Sequence, residues 1–221
     1  MSNPIKSSVK TEWLPVLLVI ASFLIGAYFY RHFPAQVATH WNLRGQVNGY
    51  SSPFTAAFML PLLMTVIYLL FLGLPFLDPR KEQYAGFANS YHRFKNFLVV
   101  FFFVIFLAVG LSGLGYPINV RTWMPLLVGT LFIVVGSILK EVKTNWFLGV
   151  RTPWTMSSET VWNKTHQLSG SVFTLAGLLI AATVLVSATA KLIFLAIAIL
   201  LVVLGLPIYS YFLYANEKKG K

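Results

Sequence analysis

The sequence predicts an all-α integral membrane protein, built as a bundle of six transmembrane helices. Apolar residues make up 57% of the 221-residue chain and charged residues only 10%, and the mean hydropathy is +0.73. A soluble domain of ordinary composition is about 45–50% apolar and about 25% charged. So few polar groups cannot cover a surface that faces water on all sides, which excludes a soluble enzyme and a free nucleic-acid-binding domain.

Six apolar runs are long enough to cross the hydrocarbon core, which takes about 20 residues in a helix. They cover over half of the chain, so we expect a single membrane domain over residues 1–221. A β-barrel would need alternating strands of about 10 residues, and continuous runs such as 97–107 do not alternate. The predicted spans are Trp13–Tyr30, Phe54–Leu77, Phe97–Tyr116, Thr122–Leu139, Leu168–Ser187 and Leu192–Tyr214.

The net charge of +11 indicates the orientation of the chain. In a soluble protein this excess would suggest nucleic acid, whereas in a membrane protein it follows the positive-inside rule. Thirteen of the 17 basic residues, with all six acids, fall at the termini and in the loops after the second and fourth spans. We therefore expect both termini in the cytoplasm and no direct contact with nucleic acid. The outer face then carries the remaining cations, Arg31, Arg44, Arg121 and Lys191.

Several kinds of chemistry are absent from the sequence. No ionisable residue lies inside the six spans as drawn, which argues against a proton-coupled transporter but leaves open one that uses backbone carbonyls. The chain has no cysteine, which excludes disulfides and thiolate metal sites. It also has no Walker loop, HExxH or GxSxG motif. We expect no cofactor and no metal, and we expect any chemistry to depend on loop residues.

The outer loop, residues 31–53, is long for a helix–helix connection, which usually has 2–8 residues. Turn signals occur at Arg44-Gly45 and at Asn48-Gly49, and Asn-Gly suits positive φ at both central residues of a hairpin turn. Residues 37–41 fit a short extended segment. The loop is therefore predicted to form a small hairpin-like cap.

The outer loop also combines polar donors with an aromatic platform at His40, Trp41, Asn42 and Arg44. This pattern fits recognition of an external ligand, and it fits equally a structural role in which Trp41 and Tyr50 plug the loop onto the helices. Catalysis would need a third group to orient His40, and this face has no carboxylate. A metal would need three or four ligands, and His32 with His40 are too few.

The inner loop, residues 140–167, holds three of the six tryptophans. A helix is disfavoured before Pro153, and Ser157-Ser158-Glu159 is typical of a helix start that can continue into the fifth span. On such a helix one face would carry Glu159, Trp162, His166 and Gly170.

Three functions fit this inner loop. Its basic residues and tryptophans, Trp146, Trp154 and Trp162, suit the membrane surface. The same residues could dock a cytoplasmic partner, or a lipid phosphate through Arg151. Arg151, Glu159 and His166 could also perform acid–base chemistry.

The two loops together resemble the SdpI family. The outer block Pro34-x5-His40-Trp41-Asn42-x2-Gly45-x4-Tyr50 resembles the short domain of unknown function, DUF1648, that precedes the core of these proteins. The inner block resembles the family signature, and Val150 and Gln167 stand where Ile and Arg are common. Its matching residues include Asn145, Trp146, Gly149, Arg151, Thr152, Pro153, Trp154, Trp162, His166 and Gly170.

This resemblance implies a multi-pass protein of the bacterial cytoplasmic membrane that confers immunity to a secreted antimicrobial peptide. It also implies signalling, in which a cytoplasmic transcriptional repressor is sequestered at the membrane. We expect the lipid bilayer, the toxin peptide and a repressor as partners. A membrane enzyme acting on a lipid or peptide, and a transporter without intramembrane charge, remain alternatives. The expected toxin-binding residues are Pro34, His40, Trp41, Asn42, Arg44, Gly45 and Tyr50, and Glu159 joins the inner block as a partner- or lipid-binding residue.

Overall fold

The computed structural model describes residues 5–220 and is 77% helical. Within these residues six helices are long and apolar enough to cross a membrane, which confirms the predicted class and number of spans. A 3-10 segment, Lys81–Phe87, leads into the third span, and a π turn, Leu201–Gly205, lies within the sixth. The α-helices are α1 Val9–His32, α2 Pro53–Leu77, α3 Ala88–Gly113, α4 Val120–Leu139, α5 Pro153–Ser157, α6 Glu159–Ala182, α7 Ala188–Leu200 and α8 Leu206–Lys219.

Several helices extend beyond the apolar runs that predicted them. Helix α6 begins at Glu159 rather than at Leu168, because Ser158 caps it by accepting the Val161 N–H at 3.2 Å. This confirms the helix start predicted from Ser157-Ser158-Glu159. The extensions also bring Glu12 and Lys95 inside helices. These residues lie outside the predicted apolar runs, because those runs mark the hydrocarbon core and not the full length of each helix.

The chain divides into two compact units. The hairpin unit comprises residues 6–73 and 95–123, and it contains α1, most of α2, the second part of α3 and the outer loop. Small residues let its helices approach closely: a side chain at Gly26 would lie 2.8 Å from the Ala57 carbonyl oxygen, and one at Gly110 would overlap the Phe29 ring. Close backbone approach at glycine is a common way to pack helices in membranes.

A buried ion pair lies inside the hairpin unit. The Lys95 ammonium pairs with the Glu12 carboxylate, and the Tyr68 hydroxyl donates to Glu12 at 2.9 Å. The Lys95 side chain is 1% exposed and lies 5.5 Å from the Tyr68 ring centroid. Lys95 is therefore a buried helical residue and not the loop cation that the charge count assumed.

The signature unit comprises Ile5 with residues 74–94 and 124–220. Its helices α4 and α6 pack through two glycine pairs, Gly129 with Gly177 and Gly136 with Gly170. A side chain added at Gly129, Gly177 or Gly136 would lie within 3 Å of the opposite carbonyl oxygen, and one at Gly170 would collide with the Lys140 side chain. The predicted close helix approach at Gly170 is thus confirmed. Helix α7 packs on α6 through Ala198, Ala176 and Ile180.

The outer loop forms the predicted hairpin. Strand β1, Val37–Trp41, pairs antiparallel with β2, Val47–Ser51, with an irregularity around His40. The turn lies at residues 42–46, where Gly45 has a φ of +76°. The predicted Asn48-Gly49 turn is wrong, because both residues belong to β2 and neither has a positive φ.

Candidate functional site

The signature loop, residues 140–167, is fixed by buried polar side chains, of which Asn145 is the first. Its Oδ1 accepts the backbone N–H groups of Phe147 and Leu148 at 2.8 and 2.6 Å. Its Nδ2 donates to the carbonyls of Lys143 and Leu148 at 2.8 and 2.9 Å. A fully buried amide with all of its groups paired holds the surrounding backbone in one conformation.

Asp78 joins the signature loop to the end of α2, and the sequence interpretation missed it. The residue is 1% exposed. Its Oδ2 accepts the Tyr84 hydroxyl and the Trp146 N–H, both at 2.9 Å, and its Oδ1 accepts the Arg80 N–H at 2.7 Å. A buried carboxylate is stable only when such donors replace water. The one signal in the sequence was an acidic residue directly after a long apolar run.

His166 closes the loop from α6. Its Nε2 accepts the Val150 N–H at 3.0 Å, so Nδ1 carries the proton and donates to the Trp162 carbonyl at 2.8 Å. The ring is 1% exposed and stacks on the Trp162 indole, with the centroids 4.0 Å apart. Both nitrogens of this neutral imidazole are therefore committed within the loop.

Gly149 and Trp162 complete the same contact. Gly149 has a φ of +119°, and an added side chain there would collide with His166 Nε2 and lie 3.2 Å from Trp162. Only glycine meets both requirements without strain. Trp162 is fully buried and donates its indole N–H to the Val142 carbonyl at 2.9 Å. Its expected position at the membrane surface is thus wrong.

A short helix begins where the sequence predicted only an interruption. Pro153 is the first residue of α5, because a proline fits the first helical position. Thr152 caps this helix by accepting the Thr155 N–H at 3.2 Å. The Thr152 hydroxyl also lies 3.0 Å from the Ser210 hydroxyl on α8, and the loop is thereby tied to a second helix.

The predicted inner residues separate into a buried group and an accessible group. Of the four residues expected on one face of α6, Glu159 is exposed, whereas Trp162, His166 and Gly170 are buried. Trp154 is half-buried and packs edge-on against the Tyr211 ring. The buried group is Asn145, Thr152, Trp162, His166 and Gly170. The accessible group is Trp146, Arg151, Pro153 and Glu159.

In the outer hairpin, Asn42 and Gly45 shape the turn. The Asn42 Oδ1 accepts the Arg44 and Gln46 N–H groups at 2.9 and 3.1 Å. Gly45 packs on α4, where an added side chain would lie 2.8 Å from the Arg121 Cβ. These two predicted residues therefore organise the hairpin, and the turn brings Arg44 and Arg121 to the same end of the unit.

The remaining outer residues form an accessible aromatic and cationic surface. His40 is exposed and donates from Nδ1 to the Asn48 Oδ1 at 2.6 Å, which leaves Nε2 as an acceptor. Tyr50 is 61% exposed, Pro34 and Arg44 are also exposed, and Trp41 is half-buried. The unit has one carboxylate, that of Glu12, and it lies at the opposite end of α1 from Arg31. Within residues 5–220 no group of three or more metal-ligating side chains occurs.

Comparison with known proteins places both loops in named families. Residues 141–210 match the SdpI/YfhL protein family, and residues 17–65 match a domain of unknown function, DUF1648. The chain is 30% identical over 211 residues to the Immunity protein SdpI of Bacillus subtilis (strain 168), covering 96% of this chain and 98% of that protein. No solved structure matches the chain.

Proposed function

Because the chain belongs to the SdpI/YfhL family, we propose that it is a membrane immunity protein that gives resistance to a secreted antimicrobial peptide. The observation that carries the proposal is its similarity, over nearly its whole length, to the Immunity protein SdpI. Six apolar helices and this relative support a multi-pass protein, and we propose the bacterial cytoplasmic membrane as its location.

We propose that the outer hairpin is the receptor for the peptide. The exposed Tyr50, the half-buried Trp41 and the exposed Arg44 offer aromatic area and positive charge on one small, ordered element. Aromatic and arginine side chains supply most of the binding energy in many protein interfaces. A peptide with apolar residues and a free carboxylate would complement this surface.

The test is survival of a Bacillus subtilis strain that lacks its own Immunity protein SdpI, co-cultured with the parent strain. Expression of the chain should restore survival. Tyr50→Ala and Trp41→Ala should remove most of the protection at unchanged membrane levels. Tyr116→Ala is the matched control, because Tyr116 is 59% exposed, close to the 61% of Tyr50, but lies outside the hairpin. Lack of rescue by the unmodified chain would contradict the immunity proposal, and full protection by both hairpin variants would contradict the receptor.

We further propose that the termini and the signature loop face the cytoplasm, where the loop is available to a repressor. The support is the distribution of basic residues. Alkaline phosphatase and fluorescent protein fusions at the C-terminus distinguish the two orientations, since the phosphatase is active only outside the cytoplasm. An active phosphatase fusion would reverse this assignment.

A further inference from the structure

An open cleft of about 480 Å³ lies in the accessible part of the signature loop. It is lined by Trp146, Gly149, Arg151 and Met156. Its walls are firmly held, because the Asp78 carboxylate accepts the Trp146 N–H and His166 accepts the N–H of Val150, next to Gly149. The cleft is therefore a preformed feature of the loop.

One guanidinium group, that of Arg151, lines this cleft, and that of Arg80 lies beside the lining residue Met156. Arg151 is exposed, and its Nη1 donates to the Trp146 carbonyl. The Arg80 Nη2 lies 3.5 Å from the Met156 carbonyl. Both groups thus contact uncharged backbone oxygens, while the neighbouring Asp78 carboxylate is occupied by three other donors. An anion in the cleft would gain charge-assisted hydrogen bonds from both arginines.

An apolar cavity of about 160 Å³ adjoins the cleft at Gly149. Its lining includes Val135, Leu139, Leu148 and Phe173. A ligand that fills both spaces must therefore join an anionic group to an apolar chain. The loop continues into α6, which belongs to a helical segment long and apolar enough to span the membrane. The half-exposed Trp146 is typical of the bilayer interface.

The geometry points to a binding site for one anionic phospholipid, with its phosphate on Arg151 and Arg80 and an acyl segment against the cavity at Gly149. The combination of paired cations, an adjoining apolar cavity and a position at a helix end favours a lipid over a soluble acidic peptide. This site is separate from the proposed toxin receptor and does not depend on the immunity function.

The test uses the full-length protein purified in detergent and titrated by calorimetry with dioctanoyl phosphatidylglycerol, dioctanoyl phosphatidylcholine and sodium phosphate. Phosphatidylglycerol should bind at least about tenfold more tightly than the other two ligands. Arg151→Gln and Arg80→Gln should each weaken the binding of phosphatidylglycerol about tenfold. Lys143→Gln is the matched control, since it removes an exposed positive charge from the same loop outside the cleft lining.

Arg151 also bonds the Trp146 carbonyl, so its loss could disturb the loop itself. Met156→Glu keeps both arginines and places a carboxylate in the cleft, and it should abolish phosphatidylglycerol binding while helix content and thermal midpoint stay unchanged. Equal affinity for phosphatidylglycerol and phosphatidylcholine, or normal binding by Met156→Glu, would overturn the site. Sodium phosphate binding as tightly as phosphatidylglycerol would overturn its assignment to a lipid.

Discussion

Replacement of Asp78 tests whether the signature loop depends on a buried carboxylate. Asp78→Ala removes the acceptor of three hydrogen bonds. The Tyr84 side chain is fully buried and the Trp146 N–H is held inside the loop, whereas Arg80 is half-exposed and water can reach its backbone. A hydrogen bond to a charged group contributes about 1.5–3 kcal/mol, and a buried donor left unpaired costs about 1–3 kcal/mol. With two such donors, we expect Asp78→Ala to lower the free energy of unfolding by about 3–5 kcal/mol.

Two milder variants should produce a graded series. Asp78→Asn keeps one acceptor oxygen but turns an amide NH₂ toward existing donors, so its expected cost is about 1–3 kcal/mol. Tyr84→Phe removes a single bond and should cost about 1 kcal/mol. Glu82→Ala is the control, because Glu82 is exposed in the same segment, and a surface change of this kind usually stays within about 0.5 kcal/mol.

The assay is reversible unfolding in mixed detergent with increasing SDS, followed by far-UV circular dichroism and tryptophan fluorescence. The structural reasoning requires the order Asp78→Ala, Asp78→Asn, Tyr84→Phe, Glu82→Ala, from most to least destabilised. If Asp78→Ala unfolds within about 1 kcal/mol of the Glu82→Ala control, the carboxylate does not hold the loop and the reasoning is refuted.

Three further predictions concern other buried contacts. Gly149→Ala should lower the free energy of unfolding by more than about 2 kcal/mol in the same assay. Gly115→Ala is the control and should lower it less, because Gly115 also has a positive φ, +90°, but open space around it. Equal losses of stability in the two variants would assign the effect to backbone strain alone. Lys95→Met should lower the free energy of unfolding by about 3–5 kcal/mol, because it leaves the Glu12 carboxylate without its lysine. In a double-mutant cycle, the combination of Lys95→Met with Glu12→Met should recover most of that lost stability. Hydrogen bonding from Ser90, together with Arg93, holds the pKa of Glu141 below its ordinary 4.5, so Glu141 stabilises the folded state above that pH. The stability difference between the unmodified protein and Glu141→Gln should then shrink as the pH falls below about 4.5, and a difference that does not change with pH would contradict this.

Hydropathy was sufficient for the number and class of the helices because the bilayer imposes a minimum apolar length on every span. It could not give the helix ends, since α6 begins at a Ser158 cap in a polar segment well before the apolar run. The hairpin was likewise predicted, and of its two turn signals Arg44-Gly45 is confirmed, whereas Asn48-Gly49 lies in β2. The Asn-Gly propensity was overridden because the Asn42 side chain closes the turn at Gly45 through two backbone hydrogen bonds.

The location of the candidate site was predictable from the sequence, but the roles of its residues were not. The motif identified the signature loop, but a motif does not distinguish residues that hold a loop from residues that the loop presents. Asn145 and Arg151 stand in the same block, yet one is fully buried and the other is exposed. Asp78 was missed because its partner Trp146 is 68 residues away in the sequence, and a pairing across that separation leaves no local pattern.

The arrangement of His166 bears directly on the enzymatic alternative. A general base needs one ring nitrogen free to accept a proton from a substrate, and here Nε2 holds the Val150 N–H while Nδ1 donates to Trp162. Catalysis by this residue would first require the loop to open at Val150 and would leave that N–H unpaired. The bond to Val150 fixes the backbone next to the exposed Arg151, and Asp78 fixes the backbone at Trp146. The contacts of His166 therefore argue against its use as a general base in this conformation of the loop.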